Sequence, residues 1–133
     1  MYSQGSGSFG LEAISRGAKK CLFVENYPSA ILSLDKILNT SNVRKILKFL
    51  NQIVLNLLRT FKRRVKLDII FLDPPYREER LNFIIEKILK KNILNKNGII
   101  IVHRHKKDNI KITKKLNIID LRLYGISKII FAN

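Results

Sequence analysis

The apolar positions of this chain change period several times, and each change marks an element. Phe9, Ala13 and Ile14 recur at helical spacing up to Gly17, a residue suited to stopping a helix from the C′ position. The run at 20–25 reads as a strand. Asn26 and Pro28 give a helix-start signal, and Ile31, Leu34, Ile37 and Leu38 then form a stripe that ends near Asn39. Between 42 and 61, Val43, Ile46, Leu47, Leu50, Ile53, Val54, Leu57, Leu58 and Phe61 fall on one helical face. The run LDIIFL, Leu67–Leu72, is a strand. Leu81, Ile84, Ile85, Ile88 and Leu89 mark an amphipathic helix over 78–91, and Asn97 with Gly98 turns the chain into a strand at 99–102. Two late runs, 118–123 and 126–131, are separated by Tyr124 and Gly125 and read as an antiparallel hairpin closing a mostly parallel sheet. The alternation of strand and helix makes the class α/β, with one domain over 1–133 and no internal repeat.

Composition narrows the setting. The chain has 133 residues, 46% of them hydrophobic, enough for a single core. It has no run of eighteen apolar residues and no charged-then-apolar leader, so neither a membrane span nor export is indicated and a cytoplasmic location is expected. Cys21 is the single cysteine, which excludes a disulfide within the chain and suits an inert core thiol. The 26 Lys and Arg against 10 Asp and Glu give a net charge of +16, which draws the chain towards polyanions such as nucleic acid. The competing source of that charge is compositional bias, because Ile and Asn are abundant too. The clusters Arg59–Lys62–Arg63–Arg64–Lys66 and Arg104–Lys106–Lys107 are the candidate binding surface, against the plainer reading of solvated charge runs. His103 and His105 could suggest a metal, but no Cys or acidic partner is near in sequence and a basic loop accounts for both.

The chemistry concentrates in Asp73, Pro74, Pro75 and Tyr76, directly after the strand Leu67–Leu72. An acid can accept a hydrogen bond from the exocyclic amino group of a nucleobase, and the Pro74 carbonyl can serve as second acceptor. Two prolines fix φ near −65° and donate no N–H, so the loop is stiff and its carbonyls stay available. Tyr76 supplies a flat face on which an extruded base can stack. The plainer alternative is a strand that ends in a proline-stiffened turn.

A second motif supplies a partner. Gly5, Gly7 and Gly10 form GSGSFG, a GxGxxG leading into a helix whose start presents unpaired N–H groups. Glu25 stands 20 positions after Gly5 at the end of an apolar run, where a Rossmann-like fold places the acid that holds a ribose. An amino-group clamp has no use in hydride transfer, whereas it suits transfer of a methyl cation, so S-adenosylmethionine is the expected donor.

With GSGSFGLEAISRGAKKCLFVE at 5–25, LDIIFLDPPY at 67–76 and LYGISKIIFAN at 123–133, the chain resembles the 16S ribosomal RNA guanine-N2 methyltransferases of the RsmD type. The resemblance implies a Rossmann-like class I methyltransferase fold. It assigns Gly5, Ser6, Gly7, Gly10, Glu25 and Asn26 to the cofactor, with the glycines on its methionine side and Glu25 on its ribose. It assigns Asp73, Pro74, Pro75 and Tyr76 to the guanine. Charge, not the resemblance, makes Arg63, Arg64, Lys66, Arg77 and Arg104 the candidates for nucleic acid. Within 42–61 the family has a short strand, an acid or amide at the adenine, then a helix. A strand at 43–47 with a helix from 49 is therefore expected, and one continuous helix stays open beside it. No acid lies between Leu38 and Val65, which leaves Asn51 as the substitute adenine contact.

The family enters its glycine loop from a strand, and here only Met1, Tyr2, Ser3 and Gln4 precede it. Four residues reach at most about 14 Å, so the first strand is expected to be missing or vestigial: either the start lies further upstream or the protein is a reduced remnant. The resulting expectation is a monomer that methylates the 2-amino group of a guanine in ribosomal RNA or the small ribosomal subunit, without a metal. The alternatives are adenine-N6 or cytosine-N4 methylation of DNA, a non-catalytic RNA-binding remnant and, as the weakest, a nicotinamide-dependent oxidoreductase.

Overall fold

The computed structural model describes residues 8–19, 21, 29, 32–33, 36, 66–74, 80–109 and 111–133. The chain divides into two compact units, Met1–Leu57 and Leu58–Asn133, and each is described by itself. The strands and helices expected at 43–61, and the segment ahead of the glycine loop, lie outside the described residues.

In the first unit, α1 spans Ser8–Ser15 with Gly10 buried. It stops where the glycine was expected to stop it. Gly17 has φ +99°, its N–H donates to the Ile14 carbonyl at 3.0 Å, and the Ala18 N–H reaches back to Ala13 at 2.9 Å. Those two bonds are the Schellman pair, which satisfies carbonyls that the helix end would otherwise leave bare. Ser29, Leu32, Ser33 and Lys36 are helical and exposed. Their spacing of three, four and seven is that of one helix face, the face opposite the apolar stripe read from the sequence.

Among the described residues, the second unit shows a four-stranded mixed sheet and one helix. In chain order its elements are β1 (Leu67–Leu72), α2 (Leu81–Lys91), β2 (Leu94–His105), β3 (Ile118–Tyr124) and β4 (Ser127–Ala132). The sheet order is β1-β2-β4-β3. β1 and β2 are parallel, and β4 is antiparallel to both β2 and β3. α2 follows its amphipathic pattern, burying Leu81, Ile84, Ile85 and Ile88. Together with Ile93, Ile100, Val102, Leu116, Ile130 and Ala132 these residues make the core. The helix ends at Asn92, in the left-handed region at φ 51°, after Lys90 and Lys91 in its last turn, a placement that suits the negative end of the helix dipole.

Several strand boundaries differ from the sequence reading. β2 starts five residues earlier than expected and runs three beyond Val102, through His103, Arg104 and His105. The polar tail is strand because β4 pairs with it: His103 with Ile129, Arg104 with Lys128, His105 with Ser127. Asn97 and Gly98 lie inside the strand as an irregularity, where the register jumps from Leu67–Leu94 to Ile69–Ile99. A Cβ on Gly98 would come 2.7 Å from Leu94 Cδ1 and 3.0 Å from the Asn95 carbonyl, so the bulge requires glycine. In the hairpin, β3 extends through Tyr124 and β4 begins at Ser127. Gly125, at φ +56°, is the one positive-φ residue of its two-residue turn, which is the II′ pattern that matches strand twist.

The segment 111–117 is fastened at two places. Asn82 of α2 donates to the Lys111 carbonyl and accepts from the Thr113 N–H, at 2.8 and 2.9 Å. Asn117 and Asn133 exchange backbone hydrogen bonds of 2.9 and 3.0 Å. Ile85 is fully buried, so Ile85→Ala should lower unfolding free energy by about 2–5 kcal/mol. Urea titration of the full chain would measure the loss.

Candidate active site

The parallel register of β1 and β2 brings the candidate chemistry together. Leu72 pairs with Val102, so the first polar residue beyond each apolar run, Asp73 and His103, lies level with the other at the carboxyl end of the sheet. In open α/β sheets that end is where ligands bind. The two side chains meet: His103 Nδ1 is 2.9 Å from Asp73 Oδ1. The far ring nitrogen, Nε2, is 2.9 Å from Ser127 Oγ. Ser127 comes from the start of β4, two residues before Ile129, the partner of His103 across the pair, and so faces the same side of the sheet.

The trio is half-buried, with Asp73 and His103 exposing 23% and 17% of their side chains. That partial burial decides what the group can do, because it is dry enough to strengthen hydrogen bonds yet reachable by a ligand. Asp73 spends Oδ1 on the histidine, and among the described residues Oδ2 has no hydrogen-bond partner. The Pro74 carbonyl accepts no backbone hydrogen bond among those residues either. Two acceptors without a partner among the described residues therefore follow one another in the chain at the end of β1.

Sequence reading assigned His103 and His105 to a basic loop, and the structure corrects that. Both are strand residues, and His103 is the partner of the motif aspartate. The available signal was alignment of the two apolar runs by their first following polar residue; the run 99–102 ends at His103 as Leu67–Leu72 ends at Asp73. His105 Nδ1 instead accepts the Lys107 N–H at 3.1 Å. No group of three His, Cys, Asp or Glu among the described residues is placed to hold a metal ion.

Arg104 is also corrected. It is 1% exposed, and its Nε donates to Asp108 Oδ2 at 2.5 Å while Nη2 contacts the same oxygen. A guanidinium spent inside the protein cannot meet a phosphate. Lys66 donates to the Asn92 carbonyl and side-chain oxygen at 2.6 and 2.8 Å, at the amino-terminal end of β1 and away from Asp73. A groove of about 450 Å³ opens there beside Leu89, Asn95 and Lys96. Gly10 is buried in α1. Gly5, Ser6, Gly7, Glu25, Asn26, Arg63, Arg64, Pro75, Tyr76 and Arg77 lie outside the described residues. No helix among the described residues is long and apolar enough to cross a membrane.

A family profile described as "Conserved hypothetical protein 95" matches residues 1–133. The chain belongs to that family. A Buchnera aphidicola (subsp. Baizongia pistaciae) relative, named ribosomal RNA small subunit methyltransferase D, is 34% identical over 85% of this chain. The chain spans 56% of that relative's length. A conserved hypothetical protein of Streptococcus pyogenes has the same fold, with a TM-score of 0.86 and 26% identity over 97% of this chain and 81% of its own. A third protein, SMU.776, solved in complex with SAH, shares the fold at a TM-score of 0.74 and 17% identity, covering 96% of this chain and 42% of its own.

Two measurements check the electrostatics described above. Removing one partner of a buried ion pair strands the other charge, so Asp108→Ala should cost about 3–5 kcal/mol in urea unfolding. Cys21 is half-buried, and burial pushes its thiol above the ordinary value. Its thiolate fraction at neutral pH is thereby reduced, so it should alkylate with iodoacetamide more slowly than free cysteine and gain rate as pH rises.

Proposed function

We propose that this protein is an S-adenosylmethionine-dependent methyltransferase with a Rossmann-like class I fold, acting as one domain on the 2-amino group of a guanine in small-subunit ribosomal RNA. The observation that carries the reading is the pair of acceptors at the carboxyl end of β1, Asp73 Oδ2 and the Pro74 carbonyl, which have no hydrogen-bond partner among the described residues. An exocyclic amino group offers two N–H donors to those two acceptors. Its lone pair is delocalised into the ring. Holding both N–H groups turns that lone pair towards the incoming carbon and accepts the positive charge that develops on nitrogen.

The donor supplies an activated methyl group on a sulfonium. The residues available to hold it fit that role where they are described. α1 carries no acidic residue in its first turn, so its leading N–H groups keep their partial positive charge for a carboxylate. Gly10, buried in that turn, adds no side chain to obstruct the approach. Gly5, Ser6, Gly7, Glu25 and Asn26 complete the proposed cradle, and Tyr76 would stack the extruded base. Alignment of nitrogen with methyl carbon is worth roughly 7–11 kcal/mol, so no strong base is required. The relative named as a small-subunit methyltransferase and the net charge of +16 both support ribosomal RNA as the substrate.

Asp73→Ala should reduce methyl transfer to small ribosomal subunits by at least 10²-fold while leaving the donor's Kd within a few-fold, by calorimetry. Labelled donor offered with subunits, naked ribosomal RNA and duplex DNA decides the substrate. Incorporation into DNA amino groups alone would replace guanine in RNA with adenine or cytosine in DNA, and loss of donor binding in Asp73→Ala would move Asp73 out of the substrate pocket.

A further inference from the structure

Asp73 can serve an amino group only if its carboxylate is held with one oxygen outward. A carboxylate at a strand end rotates about its Cα–Cβ and Cβ–Cγ bonds, and each free rotor costs order when a ligand binds. Here the rotation is blocked from one side. His103 Nδ1 lies 2.9 Å from Oδ1, and the ring that carries it is pinned at its far nitrogen by Ser127 at the same distance. A carboxylate oxygen only accepts, so Nδ1 must carry the proton of this bond. In the neutral ring Nε2 then presents a lone pair, and the Ser127 hydroxyl donates to it. Three strands thus contribute one residue each to a single chain of hydrogen bonds: Ser127 from β4, His103 from β2, Asp73 from the end of β1.

We infer that His103 is the positioning residue for Asp73, donating from Nδ1 to Oδ1 with its tautomer set by Ser127, so that Oδ2 faces the substrate amino group. This rests on the amino-group reading above and adds to it the residues that orient the acceptor. It also gives the carboxy-terminal hairpin a function, since β4 delivers the hydroxyl that fixes the ring. The arrangement follows the rule that a ligand-contacting group is oriented by a second group whose own orientation is fixed.

The test uses the full chain and two independent readouts. With ¹⁵N-labelled histidine at mildly alkaline pH, His103 should carry its proton on Nδ1, the minor form of free histidine, and should revert towards Nε2–H in Asp73→Ala. An Nε2–H ring in the wild type overturns the inference whatever the activity. In kinetics, His103→Leu should lower kcat on the order of 10²-fold with donor Kd unchanged. His103→Asn, whose amide can reach the place of Nδ1, should recover most of the rate, whereas His103→Gln, whose amide reaches towards Ser127, should not. Equal rates for the Asn and Gln variants, or wild-type kcat in a folded His103→Leu, would overturn the positioning role alone, provided Asp73→Ala is inactive. Full turnover by Asp73→Ala would instead overturn the amino-group reading, and the positioning role with it.

Discussion

The pairing of β2 with a parallel neighbour on one side and an antiparallel one on the other is the constraint on which the rest of this structure depends. Hydrogen-bond registry between strands is discrete, and a slip of one residue would turn every side chain to the opposite face. With Leu72 held opposite Val102, Asp73 and His103 must fall side by side. With Ile129 held opposite His103, Ser127 must fall on the same face. The acid, the imidazole and the hydroxyl meet because three backbones are locked, and no loop has to be arranged separately.

The core exists to hold that registry. Ile100 and Val102 on β2, Ile130 and Ala132 on β4 and the apolar stripe of α2 are all buried, and their burial is what resists slippage of strands that otherwise share many isoleucines. The buried Arg104–Asp108 pair sits immediately beyond, directing the end of β2 into loop 106–117. Lys128 reinforces the corner by donating to the Asp108 carbonyl. A charge-rich sequence here spends part of its charge on architecture, which is why a count of its cations overstates the surface offered to a polyanion.

Local patterns were legible wherever the physics is local. The helix stop at Gly17 needs only a residue tolerant of positive φ, and α2 needs only apolar residues at three- and four-residue spacing. β1 matched its run of six, and the hairpin strands were foreseen to within one residue from Tyr124 and Gly125. The end of β2 was not legible, because His103, Arg104 and His105 have no strand pattern of their own. They are strand because β4, more than twenty residues later, supplies their partners. Arg104 looked like a surface cation for a different reason: Asp108 is only four residues on, but it is brought to the guanidinium by the turn that ends β2.

Asp73 and Pro74 could be named from sequence as an acceptor pair, since a proline after an acid at a strand end is a statement about the nearby backbone. The chain by itself therefore determined the types of the elements among the described residues, the helix stop at Gly17 and the turn at Gly125, all of which are fixed by residues within a few positions of one another. Tertiary structure alone decided which oxygen of Asp73 is committed, which ring nitrogen meets it, and that Ser127 completes the chain. Those are contacts between residues 24 and 30 positions apart, and at such separation only the register of a folded sheet, not the order of residues, sets which side chains touch.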